Sequence, residues 1–276
     1  MPEIPEPYSR YLRLLGISCV PSGLDGLQDL VRRHLCRVPF ENVSKLLLFA
    51  REGAGRPMML GEFLDGIEHQ DLGGTCHSNN PFLADLLRHL GYDADLLGAD
   101  MSIPNCHTCV RVRLDAAPYH VDVGYGGPFR EPMRLDRLPH AFDEGDLRYV
   151  LDRNRHEEAY EMAVLAGLER RHGYVVHGPP RSRDFFTPTI RESFAPGRTF
   201  VSNLRIVRFF DEHSVELFNR TLTIRRGSET NQTELRERSE LKAALATHLA
   251  MPRCPIDAAL DTLERITGTS FFAVRA

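Results

Sequence analysis

At about residue 92 the apolar pattern of this 276-residue chain changes period, and that change restricts the folds open to it. Before it, apolar residues recur three and four apart. Leu24, Leu27, Leu30, Val31 and Leu35 form one such stripe, which Pro39 breaks. Tyr8, Tyr11, Leu12, Leu14 and Leu15 form a shorter one ended by Gly16, and residues 59–67 form another. Residues 46–50 read as a short apolar piece. Beyond residue 92, segments of strand character follow one another at 109–114, 119–123, 160–165, 173–177, 200–209, 215–218 and 221–224, separated by Gly, Pro, Asn and Asp turns. The first two read as a hairpin around Asp115-Ala116-Ala117-Pro118. Residues 234–251 carry a last helical pattern, and residues 178–199, rich in Pro, Arg and Ser, read as a connection. A helical start followed by many short strands predicts a β-barrel-like unit after a helical one, with further strands and a helix beyond.

Residues 71–82, Asp71-Leu72-Gly73-Gly74-Thr75-Cys76-His77-Ser78-Asn79-Asn80-Pro81-Phe82, sit where the two patterns approach each other. Two glycines set up a tight backbone and a cysteine follows at once. An apolar helix through Phe82, Leu83, Leu86, Leu87 and Leu90 then runs to Gly91. Asn80-Pro81 is a good cap and first helical position, which predicts a helix start at Pro81 with Cys76 in the preceding turn. An earlier start puts Pro81 inside the helix and predicts a kink. A cysteine beside a helix start is drawn toward its thiolate, the nucleophilic form.

A nucleophilic cysteine needs a base, and the base needs an orienting group. If Val110, Val112, Val121 and Val123 share a core face, period-two alternation places His107, Cys109, Arg111, Arg113, His120 and Asp122 on the other. His107 and Asp122 therefore share a face in any register that keeps the valines together, at a distance the sequence leaves open. His120 reads as an outward-facing strand residue, and His77 as too close in sequence to reach the sulfur. On spacing alone a bland alternative stays open: a small buried cysteine, and a chance His and Asp on a solvated sheet face.

Other classes fall away. The net charge of -4 leaves no basic footprint for nucleic acid. Six cysteines at irregular spacing form no disulfide framework, and Cys106-x-x-Cys109 has no second pair to complete a zinc site, so no metal is expected. Residues 1–11 lack the pattern of a secretory leader and no apolar run has membrane-spanning length, so the expected compartment is the cytoplasm. Gly124-Tyr125-Gly126-Gly127 by itself is a turn, since it lacks the spacing and following helix of a phosphate-binding loop.

Together these residues make the chain resemble the arylamine N-acetyltransferase family. Pro39-Phe40-Glu41-Asn42 looks like the family's PFEN segment. Gly73-Gly74-x-Cys76 with Asn80 looks like RGGxCxExN. His107, followed fifteen residues on by Asp122 in Val121-Asp122-Val123-Gly124-Tyr125-Gly126, looks like H…DVGFG. The resemblance implies an α+β fold in three parts: an N-terminal helical bundle over 1–91 carrying the cysteine, a central β-barrel over 92–190 carrying the histidine and aspartate, and a C-terminal α/β lid over 191–276. It implies a cysteine-protease-like triad of Cys76, His107 and Asp122. It implies ping-pong transfer of an acetyl group from acetyl-CoA, a co-substrate rather than a bound cofactor, to an arylamine, hydrazine or N-hydroxyarylamine. Backbone amides near the cysteine would hold the oxyanion. Tyr125 would lie near the acceptor, and Gly124, Gly126 and Gly127 would leave room for the donor. The expected partners are thus a small-molecule amine and a CoA thioester, with the chain a monomer or homodimer.

The motif is altered at Leu72, where the family has arginine, and at Ser78, where it has glutamate. Pro81 is also foreign to it. Glu41 is therefore expected to lack its usual partner. The short Cys-to-His interval points to a trimmed loop at the site entrance. Three other readings stand beside the first: an amide synthase of the macrolactam-forming type using a larger acyl thioester, a papain-like cysteine hydrolase, whose Cys-Gly-Ser-Cys-aromatic segment is missing, and a non-catalytic binding homologue.

Overall fold

The computed structural model describes residues 4–155 and 159–273, so the first residues of the 1–11 stretch and the last of the 191–276 segment lie outside the described residues. Five helices form the N-terminal part: α1 (Glu6–Leu14), α2 (Gly23–Arg37), α3 (Val43–Glu52), α4 (Leu60–Gln70) and α5 (Cys76–His89), with the two-residue strand β1 (Phe40–Glu41) between α2 and α3. The α2 stripe buries Leu27, Leu30, Val31 and Leu35 almost completely, as its spacing requires. The apolar piece at 46–50 is the middle of α3, whose end is set by Gly53 in the left-handed region at φ 68°.

Eight strands follow: β2 (Asp93–Asp100), β3 (His107–Leu114), β4 (Ala117–Val121), β5 (Met133–Arg134), β6 (His140–Glu144), β7 (Leu147–Arg153), β8 (Tyr160–Ala166) and β9 (Glu169–Val176). Their spatial order β5-β4-β3-β2-β9-β8-β7-β6 makes one nearly closed, barrel-like sheet. The β3–β4 hairpin is tighter than expected. Asp115 and Ala116 alone make its turn, both at positive φ (49° and 62°), while Ala117 and Pro118 belong to the strand opposite. Such a two-residue turn matches the right-handed twist of the paired strands.

The rest of the described chain holds α6 (Thr187–Glu192), α7 (Thr199–Ser202), strands β10 (Arg205–Phe209), β11 (His213–Phe218), β12 (Thr221–Arg226) and β13 (Glu229–Glu234), then α8 (Arg238–Thr247) and α9 (Ile256–Thr267). Residues 200–202, expected to be strand, are helical, and the last helical pattern begins only at Arg238 because Glu234 still belongs to β13. The second sheet runs β1-β10-β11-β12-β13, with Phe40 opposite Val207, so an N-terminal dipeptide forms its edge.

Among the described residues three large apolar cores result, with a small fourth cluster of Leu35, Phe40, Val207 and Phe209. One lies between the helical bundle and the outer face of the barrel, where Val110, Val112, Val121 and Val123 meet Phe82, Leu83, Leu86 and Leu87 of α5. Phe186, Ile190 and Phe194 join it, so the segment read as a connection is packed structure. A second fills the barrel, with Cys109, Tyr125, Tyr160 and Tyr174 among its members. The third lies between α8, α9 and the second sheet. Among the described residues no helix is long and apolar enough to cross a membrane.

Candidate active site

The double glycine before Cys76 is held by β1. Gly74 bridges to Phe40, and the Glu41 N–H donates to the Gly74 carbonyl at 3.1 Å. A Cβ on Gly73 would fall 2.2 Å from the Pro39 carbonyl oxygen, so only glycine lets the two strands approach this closely. The Glu41 carboxylate is fully buried and accepts from the Gly73 N–H at 3.1 Å and the Ser44 N–H at 2.8 Å. Burial raises its pKa, and these amides oppose the rise. Leu72 sits in the third core instead of reaching Glu41. Glu41 thus has no arginine from position 72, as expected, and is met by two backbone donors.

The helix begins five residues earlier than its Asn-Pro signal suggested. Thr75 is the N-cap in extended conformation, Cys76 is the first helical residue, and Pro81 lies inside α5. The Ser78 and Asn79 amides both reach back to the Thr75 carbonyl at 3.0 Å. The Cys76 and His77 amides, at the first two helical positions, have no acceptor within the helix. Asn80 is not a cap because its side chain works elsewhere. It donates to Asp122 Oδ1 at 2.8 Å and to the Thr108 carbonyl, and accepts from the Val123 N–H at 2.9 Å. Thr108 Oγ1 donates in turn to the Cys76 carbonyl at 2.8 Å. The first turn of α5 is thereby bolted to β3 and to the end of β4.

The barrel supplies the groups facing the sulfur. His107 Nε2 lies 2.8 Å from Asp122 Oδ2, and both side chains are buried. Nδ1 is therefore the His107 nitrogen left free for the Cys76 thiol, which the imidazole influences electrostatically and whose sulfur stands 3.8 Å from the Cys106 carbonyl oxygen. The Asp122 carboxylate is saturated: Oδ1 also accepts from the Gly124 N–H at 2.9 Å, and Oδ2 from Tyr174 at 2.8 Å. Burial favours neutral forms throughout, but the mutual attractions override it. Burial raises the Cys76 thiol, yet His77 and His107 hold it well below its ordinary value. Burial lowers His107, yet Asp122 and the Cys76 sulfur raise it well above the usual histidine range. Burial raises Asp122, yet His107 brings it down to about 2. These shifts favour the charged forms of the thiol, the imidazole and the carboxyl alike.

Two histidines sit differently from expectation. His77 Nδ1 stands 3.7 Å from the Cys76 sulfur, within reach because both residues occupy the first turn of one helix. His120 is fully buried in the barrel and bonded to two tyrosines, so its face of the sheet is an interior rather than a solvated surface. The 124–127 turn packs against the protein itself. A Cβ on Gly124 would lie 2.7 Å from Cys76 Cα, one on Gly126 3.3 Å from the Phe40 ring, and one on Gly127 2.8 Å from the Phe129 ring. Tyr125 is buried, bonds through its hydroxyl to His172 Nδ1, and stands edge-on to His107 at 5.4 Å between ring centres.

Sequence reasoning missed Tyr174, fifty-two residues beyond Asp122 and brought to it only by barrel curvature. It also missed Lys45. This ammonium is buried, bonds to Ser193 Oγ, lies 4.2 Å from the Phe194 ring centre, and is lowered to about 8 by burial against the pull of Cys76. With Thr75, His77 and Ser78 it borders a small cavity of about 30 Å³ beside the start of α5. A roomier surface cavity of about 480 Å³, between α9 and the second sheet, contains none of these residues. Among the described residues no cluster of potential metal ligands occurs.

Residues 23–252 match a sequence profile of the N-acetyltransferase family. The arylamine N-acetyltransferase of Mycolicibacterium smegmatis is 25% identical over 255 residues, which cover 87% of this chain and 90% of that protein. A pineal gland isozyme of arylamine N-acetyltransferase from Gallus gallus is 33% identical over 122 residues, 41% of this chain and 40% of the avian protein's length. In three dimensions the chain resembles Mycobacterium marinum arylamine N-acetyltransferase in complex with CoA, with a TM-score of 0.77 at 20% identity over 94% of this chain and 99% of that one. The Salmonella typhimurium enzyme gives a TM-score of 0.77 at 17% identity, over 95% and 99%. At these identities the structural likeness speaks for the fold.

Proposed function

Because the chain belongs to the arylamine N-acetyltransferase family and is a transferase, we propose that Cys76 accepts an acetyl group from acetyl-CoA and passes it to an arylamine, hydrazine or N-hydroxyarylamine. The observation that carries this reading is the saturated Asp122 carboxylate fixing a buried His107 whose charge acts on a cysteine at the first position of a helix. In the first half-reaction the thiolate attacks the acetyl carbonyl carbon. The Cys76 and His77 amides receive the oxyanion. Collapse breaks the bond to the CoA sulfur, and the His107 imidazolium gives its Nδ1 proton to that sulfur. In the second half, neutral His107 takes a proton from the amine as the nitrogen attacks the Cys76 thioester. The carbon–sulfur bond breaks and Cys76 leaves as thiolate. One thioester is exchanged for another of similar energy, so the acyl group stays activated between the halves.

In this reading residues 1–91 bring the nucleophile, 92–190 the base and its orienting acid, and 191–276 the lid. Tyr125 flanks the acceptor, and the backbone of Gly124, Gly126 and Gly127 lies on the donor side. The CoA-bound Mycobacterium marinum neighbour supports CoA as the carrier. Six free thiols suit a reducing cytoplasm. Intact-mass measurement after incubation with acetyl-CoA tests the proposal. One acetyl should be added to the wild type, hydroxylamine should remove it, and Cys76→Ala should gain none. If acetyl-, propionyl- and malonyl-CoA all leave the mass unchanged while a larger or carrier-bound acyl thioester labels Cys76, the acetyltransferase reading is wrong.

A further inference from the structure

Inside the barrel a file of buried polar groups leads away from Asp122 and has no part in the chemistry above. Tyr174 Oη lies 2.8 Å from Asp122 Oδ2 and 2.9 Å from His120 Nε2, and His120 Nδ1 lies 3.1 Å from Tyr160 Oη. The direction of each bond follows from the first. An ionised carboxylate only accepts, so the Tyr174 hydroxyl must donate to Asp122. A hydroxyl has one proton, so Tyr174 must accept from His120, and Nε2 must carry a hydrogen. Burial keeps His120 uncharged against the pull of Asp122, which leaves Nδ1 bare to accept the Tyr160 hydroxyl. The groups around His120 are His107, Cys109 and Arg111 on β3, Asp122 beyond its own strand, His140 on β6, Tyr160 on β8 and Tyr174 on β9. None of them offers Nε2 another acceptor among the described residues.

We infer that His120 is a positioning residue: as a neutral imidazole it donates Nε2–H to Tyr174 and so commits the Tyr174 hydroxyl to the Asp122 oxygen that also holds His107. With the opposite tautomer, Tyr174 would have two acceptors to choose between and Asp122 would lose a donor for part of the time. Tyr174 and His107 share Oδ2, so a weaker Tyr174 bond leaves more charge on that oxygen for the imidazolium. His120 thus sets, through Tyr174, how tightly Asp122 holds the charged form of His107. This rests on the reading of Cys76 and His107 as the reacting pair.

The test is the pH dependence of Cys76 alkylation by iodoacetamide, which needs no acyl donor. In His120→Leu the Tyr174 hydroxyl keeps Asp122 as its acceptor but loses the donor that polarises it, so it donates more weakly, the His107 imidazolium is held more tightly and the thiolate is stabilised. The alkylation midpoint should therefore move to lower pH, by a fraction of the roughly half a unit to one unit that loss of the whole Tyr174–Asp122 bond would give. His120→Gln, whose amide can still donate to Tyr174, should keep the wild-type midpoint. Tyr174→Phe should shift it in the same direction, and the double variant His120→Leu/Tyr174→Phe should match Tyr174→Phe alone. An unmoved midpoint in His120→Leu, an equal shift in His120→Gln, or additive shifts in the double variant would overturn the inference. Acetyl-CoA labelling of the wild type is run alongside. If labelling fails while the midpoints behave as described, the acetyltransfer reading falls and the role of His120 stands.

Discussion

Replacing one oxygen of Asp122 by nitrogen tests the residue on which the others converge. Its carboxylate accepts from His107, Tyr174, Asn80 and Gly124. In Asp122→Asn an NH₂ group faces two of those donors, and His107 loses the partner that fixes its tautomer. Acyl transfer should fall about 10²- to 10⁴-fold, as for orienting acids in comparable triads, with the circular dichroism spectrum largely kept. A loss of less than tenfold would mean that His107 is oriented by something else. The shared face of His107 and Asp122 was legible because strand alternation holds in any register. The nature of that face was not. Alternation separates two sides of a sheet but cannot tell water from a barrel interior, and for that reason His120 reads from sequence as an outward-facing residue. Tyr174 had no local signal, since its tie to Asp122 depends on how eight strands curl.

At the scale of elements, the site depends on how closely α5 can approach the turn after β4. Gly124 allows that approach, since a Cβ there would meet Cys76 Cα and Asn80 Nδ2, each at 2.7 Å. Gly124→Ala should push the first turn of α5 outward, slow Cys76 alkylation and acylation together, and cost about 1–3 kcal/mol by overpacking. Gly61→Ala is the matched control. Gly61 is in α4 with nothing within 4 Å of its Cβ position, so that variant should leave alkylation unchanged and stability equal or higher. Equal effects from the two would remove the steric account. The same element explains the misread helix start. Asn80-Pro81 is a strong local cap signal, but the Asn80 side chain is needed by Asp122 and Val123, and long-range bonds outweigh a cap of about 1 kcal/mol. With Cys76 at the first helical position, the helix-end argument for a thiolate is stronger than the sequence suggested.

Across the whole molecule, the parts are interleaved rather than strung in series. Asn42, at the start of α3, donates to the Phe200 and Asn203 carbonyls at 2.9 and 2.7 Å and accepts from the Arg205 N–H at 2.7 Å, while β1 edges the second sheet. Helical and strand periods were enough to place the bundle before the barrel. They carry no information about which distant strand a two-residue segment will join. Such a molecule should unfold as a unit, and its acid limb has an identifiable source. His34 is fully buried in the bundle beside Tyr11, neither ring nitrogen has a partner among the described residues, and burial lowers it to about 3. Burial likewise lowers His120, to about 4. For each, the unfolded chain binds a proton near the ordinary histidine value while the folded chain refuses it. Between that value and the folded one the unfolded state holds more protons, so stability falls as pH drops from about 6.5 toward 4 and 3. His34→Leu removes one of these groups far from Cys76 and also removes two unsatisfied buried nitrogens. Its urea midpoint should exceed that of the wild type at pH 7, and the gap should widen as pH falls to 5, with Cys76 alkylation unchanged. If the gap instead stays constant or closes below pH 6, His34 is not a source of the acid limb, and the polar interior around His120 must account for it.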